Sequence, residues 1–89
     1  MQADKTKVTH LLKTAKGQLE GLLKMVEEDR YCIDISNQVM ATQAILRTVN
    51  RLVLHAHLES CVKGAVSDGE GKKKIEEIMS VIDKLSDRV

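Results

Sequence analysis

The chain has 89 residues, 43% of them apolar, with one Tyr, no Phe and no Trp, and its formal net charge is +1. That length supports one domain at the small end of independent folding. Near-balanced charge excludes a uniformly basic nucleic-acid binder but not a basic face on an assembly. The absence of Pro and the abundance of Leu, Lys, Glu, Val and Ile point to an all-α fold. A core without large aromatics makes association through helix faces a natural source of further burial.

The start, MQADKTKVTH, has no apolar signal region, and no stretch approaches a membrane span. The expected location is therefore cytoplasmic, where thiols are kept reduced, with no membrane partner. The pattern predicts a single helical domain over 1–89, with helices at about 4–28, 32–63 and 72–87. Asp4 or Thr6 can cap the first helix, and Val8, Leu11, Leu12, Ala15, Leu19, Leu22, Leu23 and Val26 form its apolar stripe. Gly17 and Gly21 lie four apart inside it, each costing about 1 kcal/mol against Ala, which predicts close packing on a neighbouring helix. Glu27-Glu28-Asp29-Arg30 then breaks the apolar pattern and turns the chain over.

In the second helix Val39, Thr42 (by its methyl), Leu46, Val49, Val53 and Ala56 recur at steps of three and four. Ile33, Met40, Ile45 and Leu52 lie beside that set, so this helix is expected to be buried on two sides, by the first helix and by a second copy. Arg47 and Arg51 share a polar strip with Gln43 and Asn50. Gly64, Ser67, Asp68, Gly69, Glu70 and Gly71 read as a loop. The third helix carries a stripe of Ile75, Ile78, Ile82, Leu85 and Val89 with Met79 beside it. Lys72-Lys73-Lys74, placed in its first turn, reads as a solvated face.

Both cysteines fall on the second helix. At a rise of about 1.5 Å per residue, Cys32 lies roughly 37 Å from His57 and roughly 44 Å from Cys61. A disulfide needs Cα atoms within about 7 Å, so one intact helix cannot close Cys32 onto Cys61. His57 and Cys61, four apart, share a face. If Cys32 works with that pair, it does so in a second copy. An antiparallel pair of these helices with Cys32 opposite His57 and Cys61 crosses near Ile45 and Leu46. It faces Val39 with Leu52 and Thr42 with Val49, so one register assembles the three groups and buries an apolar seam.

Two thiolates and one imidazole form a soft donor set. Structural zinc sites use four protein ligands and catalytic ones three plus water, whereas Cu(I) is content with two or three soft donors. Thiol redox chemistry between Cys32 and Cys61 of a second copy needs no metal. The cysteines as small core hydrophobes, with His57 an interface histidine, account for the spacing equally well. His10 and His55 read as surface positions. No nucleophile–base pair or phosphate loop is present, so an enzyme is not expected.

RYCIDI, the H-x-x-x-C of His57 and Cys61, the following CVKGA and the G-Q-x-x-G of Gly17 to Gly21 resemble the copper-sensitive operon repressor family, over nearly the whole chain and in order. The resemblance implies a three-helix protomer, an antiparallel four-helix-bundle homodimer, and a dimer of dimers (a homotetramer) that binds double-stranded operator DNA. It implies a transcriptional repressor that holds its operator in the metal-free form and releases it when Cu(I) binds between subunits at Cys32, His57 and Cys61. The pattern is fairly specific, because relatives that sense nickel or cobalt, formaldehyde or persulfide vary at these positions. The alternative is a persulfide- or oxidant-sensing repressor that uses Cys32 and Cys61 across the dimer interface. Tyr31 and Glu77 match the family's residues that support the histidine. The arginines that family members carry in the first helix are replaced here by Leu11 and Thr14, with Lys16 and Glu20 nearby. DNA contact is then expected from Lys5, Lys7, Lys13, Lys16, Arg47 and Arg51, with Lys72 to Lys74 as further candidates.

Overall fold

The structure, a computed structural model, describes residues 1–65 and 69–86, and side chains over 1–60 and 71–84. It contains three helices in chain order, α1 (Lys5–Glu27), α2 (Cys32–Ala65) and α3 (Gly69–Ser86), and no strand among the described residues. No helix among those residues is long and apolar enough to cross a membrane. The chain divides into two compact units: Thr6–Val49, and Met1–Lys5 with Asn50–Val89.

The first unit is a helical hairpin of α1 and the first half of α2. Its turn ends α1 with two backbone bonds. Arg30 N–H donates to the Met25 carbonyl at 3.0 Å, and Asp29 N–H donates to the Val26 carbonyl at 3.1 Å. This is a Schellman closure, which satisfies carbonyls that the helix end would otherwise leave bare. The closure needs a left-handed residue, and Asp29 supplies it with φ 50° where glycine is usual. Asp tolerates this region because its short polar side chain can bond locally, whereas a β-branched residue does not. Asp29→Val is therefore expected to lower stability by about 1–2 kcal/mol, read as a lower midpoint in urea with an unchanged slope. An unaltered midpoint would show that the turn does not depend on this conformation.

Two residues later α2 begins. Ile35 N–H donates to the Tyr31 carbonyl at 3.2 Å, which makes Tyr31 the cap and Cys32 the first helical residue. Asp34 in the first turn suits the positive end of the helix dipole. The two helices are tied by Thr42, only 4% exposed, whose Oγ1 donates to Gln18 Oε1 at 2.8 Å and also lies 3.1 Å from the Gln38 carbonyl. The hydroxyl has one proton, which these acceptors must share. Thr42 was expected on a seam facing a second copy; it is instead committed to α1 of its own chain, because Gln18 offers its hydroxyl a partner there.

The wide apolar stripe of α1 is covered along one edge only. Val8 and Ala15 are buried, while Leu12, Leu19, Leu23 and Val26 remain exposed. On α2 the exposed large apolar side chains among the described residues are Ile33, Val39, Met40 and Leu46. The close packing expected at Gly17 and Gly21 is not found among the described residues of the one chain, since a Cβ built on either meets nothing within 4 Å.

The second unit contains the rest of α2 and α3. Both helices extend further into the expected loop than the glycines suggested: α2 runs to Ala65 and α3 starts at Gly69. Ser67 and Asp68 lie outside the described residues. Because α3 starts earlier, Lys72, Lys73 and Lys74 sit at the close of its first turn and beyond, all exposed. The buried stripe of α3 is Ile75 and Met79, while Ile78, expected within it, is 46% exposed. Steps of four keep Ile75 and Met79 on one face, and Ile78 falls at its edge. The side chains of Leu85 and Val89 lie outside the described residues.

Candidate metal centre

Helix α2 carries all three soft donors that the sequence singled out. Cys32 is its first residue and is an exposed free thiol. His57 is exposed and Cys61 follows one turn later on the same helix, although the Cys61 side chain lies outside the described residues. Cys32 belongs to the first unit, and His57 and Cys61 to the second. Among the described residues no three His, Cys, Asp or Glu side chains converge within the chain on a point where a metal could sit.

The supporting residues divide in the same way. Tyr31, the α2 cap, is 67% exposed and stands next to Cys32 in sequence. Glu77 is exposed on α3, in the second unit with His57. His57 has an interaction partner of its own in the chain. His55 lies 3.9 Å from Glu59, one turn on, an attraction that operates only when the imidazole is protonated.

The basic residues expected to meet DNA are spread over several faces. Lys5, Lys7, Lys13, Lys16 and Arg51 are exposed and Arg47 is half-buried, with Lys7 and Arg47 already engaged within the chain. On α1 each residue turns the helix by about 100°, so Lys13, Gly17, Gly21 and Lys24 share one face while Lys5 and Lys7 diverge from it. Lys24 lies three turns from Lys13 across the two glycines, on the same face as one of the lysines expected to meet DNA.

Residues 4–84 match the model of the metal-sensitive transcriptional repressor family. The chain belongs to that family. It is a family of regulators, not of enzymes. The chain is 42% identical over 82 residues to the copper-sensing transcriptional repressor CsoR of Mycobacterium bovis (strain BCG / Pasteur 1173P2), covering 92% of this chain and 69% of the relative. It is 39% identical over 83 residues to the CsoR of Bacillus subtilis (strain 168), covering 93% and 82% of the two. Among solved structures it resembles the copper-sensing repressor CsoR with Cu(I) from Geobacillus thermodenitrificans NG80-2. That match has a TM-score of 0.66 and 38% identity, and covers 97% of this chain and 93% of the other.

Within this metal-sensitive family, the donors of the present chain can be tested by their own chemistry. Two thiols and an imidazole are soft and few, a set that suits Cu(I) better than a four-ligand structural zinc. The fit is good provided that a second copy brings Cys32 to His57 and Cys61.

Proposed function

We propose that this protein is a Cu(I)-responsive transcriptional repressor that binds operator DNA when metal-free and lets it go when Cu(I) occupies a site shared between two copies. One observation carries the reading. A chain that aligns over 97% of its length with a Cu(I)-containing repressor places a thiol at the first residue of α2 and a His/Cys pair, one turn apart, near its other end. Cys32 of one copy and His57 and Cys61 of the other would hold the ion, in an antiparallel homodimer that pairs again into a homotetramer.

The Cys32 thiolate of one copy and the Cys61 thiolate and His57 imidazole of the other would hold Cu(I), which would supply a positive centre for those soft donors. The rest of the work belongs to the chain. Cys32 is the first helical residue, so any pull on its sulfur bears directly on the turn around Asp29 and Arg30. Tyr31 and Glu77 are the residues that would orient His57 from outside that shell. Metal and DNA would then oppose each other through one conformational equilibrium, and the coupling must be reciprocal.

The persulfide-sensing alternative gives His57 no task and ranks second. Anaerobic Cu(I) titration followed by X-ray absorption tests the reading. The expected result is one copper per protomer with two sulfur neighbours and one nitrogen. No stoichiometric uptake, together with a rapid Cys32–Cys61 crosslink between copies under polysulfide, would transfer the function to thiol sensing.

A further inference from the structure

Beside the Gln18–Thr42 bond the hairpin unit holds an open cleft of about 540 Å³, lined by Gln18, Gly21, Lys24, Glu28, Arg30 and Gln38 among others. Its chemistry leans toward an anion. It offers two cations, Lys24 and Arg30, and two carboxamides against one carboxylate, Glu28. That carboxylate holds Arg30 only loosely: Nη1 and Oε2 are 3.9 Å apart, beyond hydrogen-bond length, and both side chains are about half exposed. An exposed pair of this kind contributes little and is readily exchanged for another anion.

Gln18 is oriented from the other side. With its Oε1 accepting from Thr42, the group it can offer a ligand is its amide N–H pair. Gly21 leaves the α1 backbone bare at the wall of the cleft, since a Cβ there would meet nothing within 4 Å. The same face continues toward the N-terminus through Gly17 to Lys13, so Lys13 and Lys24 lie about 16 Å apart along one side of α1.

We propose that this cleft receives a phosphate of the DNA backbone. Lys24 and Arg30 provide charge, Gln18 and Gln38 provide N–H donors, and Gly21 provides the clearance for a phosphodiester to approach the helix. The inference rests on the reading of the protein as a DNA-binding repressor and adds residues to it. The cleft is open, with Gly21, Lys24 and Arg30 exposed, so a small free anion would stay hydrated there and gain little. A polyanion laid along the strip from Lys13 to Arg30 gains from counterion release at every phosphate it meets.

Phosphate contacts are independent of sequence, so an arbitrary 30-base-pair duplex is a sufficient probe. Its affinity for the reduced, metal-free full chain is measured by fluorescence anisotropy over a salt series. Lys24→Gln and Arg30→Gln should each reduce the slope of log K against log salt by about 0.9 for every copy that touches the duplex. Both variants should keep wild-type helix content and oligomeric state by circular dichroism and sedimentation. Glu28→Gln, which removes the opposing carboxylate, should bind several-fold more tightly. Wild-type binding with slopes unaltered in both cation variants would overturn the cleft while leaving the repressor reading standing. A duplex that the wild type fails to bind even at low salt would overturn that reading itself. Inorganic phosphate, titrated by calorimetry, covers the remaining source: saturable uptake lost in Lys24→Gln, with DNA slopes unaltered, would make this a small-anion site and overturn the proposal.

Discussion

Cu(I) added to the Cys32→Ala or Cys61→Ala variant is expected to leave its DNA affinity unaltered, whereas the wild type should lose about 5- to 150-fold. The reason lies in the spacing along α2. With Cys32 at the first residue of the helix and Cys61 near its end, each proposed site takes one thiol from each of two copies, and removing either thiol breaks every site in a homodimer. Mixing supplies the sharper test. A heterodimer of Cys32→Ala with Cys61→Ala has one position lacking both thiols and one with Cys32, His57 and Cys61 all intact. Copper uptake should therefore reappear when the two inactive variants are unfolded and refolded together, at about a quarter of the wild-type amount if chains pair at random. Uptake that stays at zero after subunit exchange would sink the shared site. DNA release by Cu(I) that survives either single substitution would sink the ligand assignment.

Replacing both Gly17 and Gly21 by Ala is expected to stabilise the isolated protein substantially. Each glycine costs a helix about 1 kcal/mol relative to Ala, and the space around both is open within the chain. For a domain of this size about 1 kcal/mol moves the thermal midpoint by roughly 4–8 °C, so the double variant should melt roughly 10 °C higher. The measurement is a circular dichroism melt at fixed protein concentration, since assembly would make the midpoint depend on it. A lower midpoint would mean that a second copy packs closely on these glycines. A higher midpoint accompanied by weaker DNA binding would mean that the bare backbone serves the approach of the duplex.

Helix identity and most helix ends were legible in the sequence because they depend on local chemistry. Steps of three and four mark α1 and α2, and the acidic break at Glu27 to Asp29 falls where the chain turns. The glycines between α2 and α3 were weaker punctuation. Gly64 lies inside α2 and Gly69 opens α3, since neither demands a positive φ and helical hydrogen bonding outweighs their modest cost. That His57 and Cys61 share a face was legible for a similar reason, since helix geometry alone sets it. The match of residues 4–84 to a family of metal-sensitive repressors makes that face the place to look for a ligand set.

Which face of each helix turns inward was decided by tertiary structure. Thr42 counted in the sequence as an apolar position on an outward seam, yet its hydroxyl meets Gln18 and the residue is buried within the hairpin. Met79 is buried and Ile78 exposed, although the more hydrophobic-looking stripe ran through Ile78. The cleft lined by Gln18, Lys24, Arg30 and Gln38 draws on both arms of the hairpin, so it exists only once the turn at Asp29 folds α2 back along α1. Periodicity states which residues can share a face, whereas burial depends on the register and rotation with which one helix meets another. Those are settled by side chains far apart in the chain, here Gln18 on α1 and Thr42 on α2.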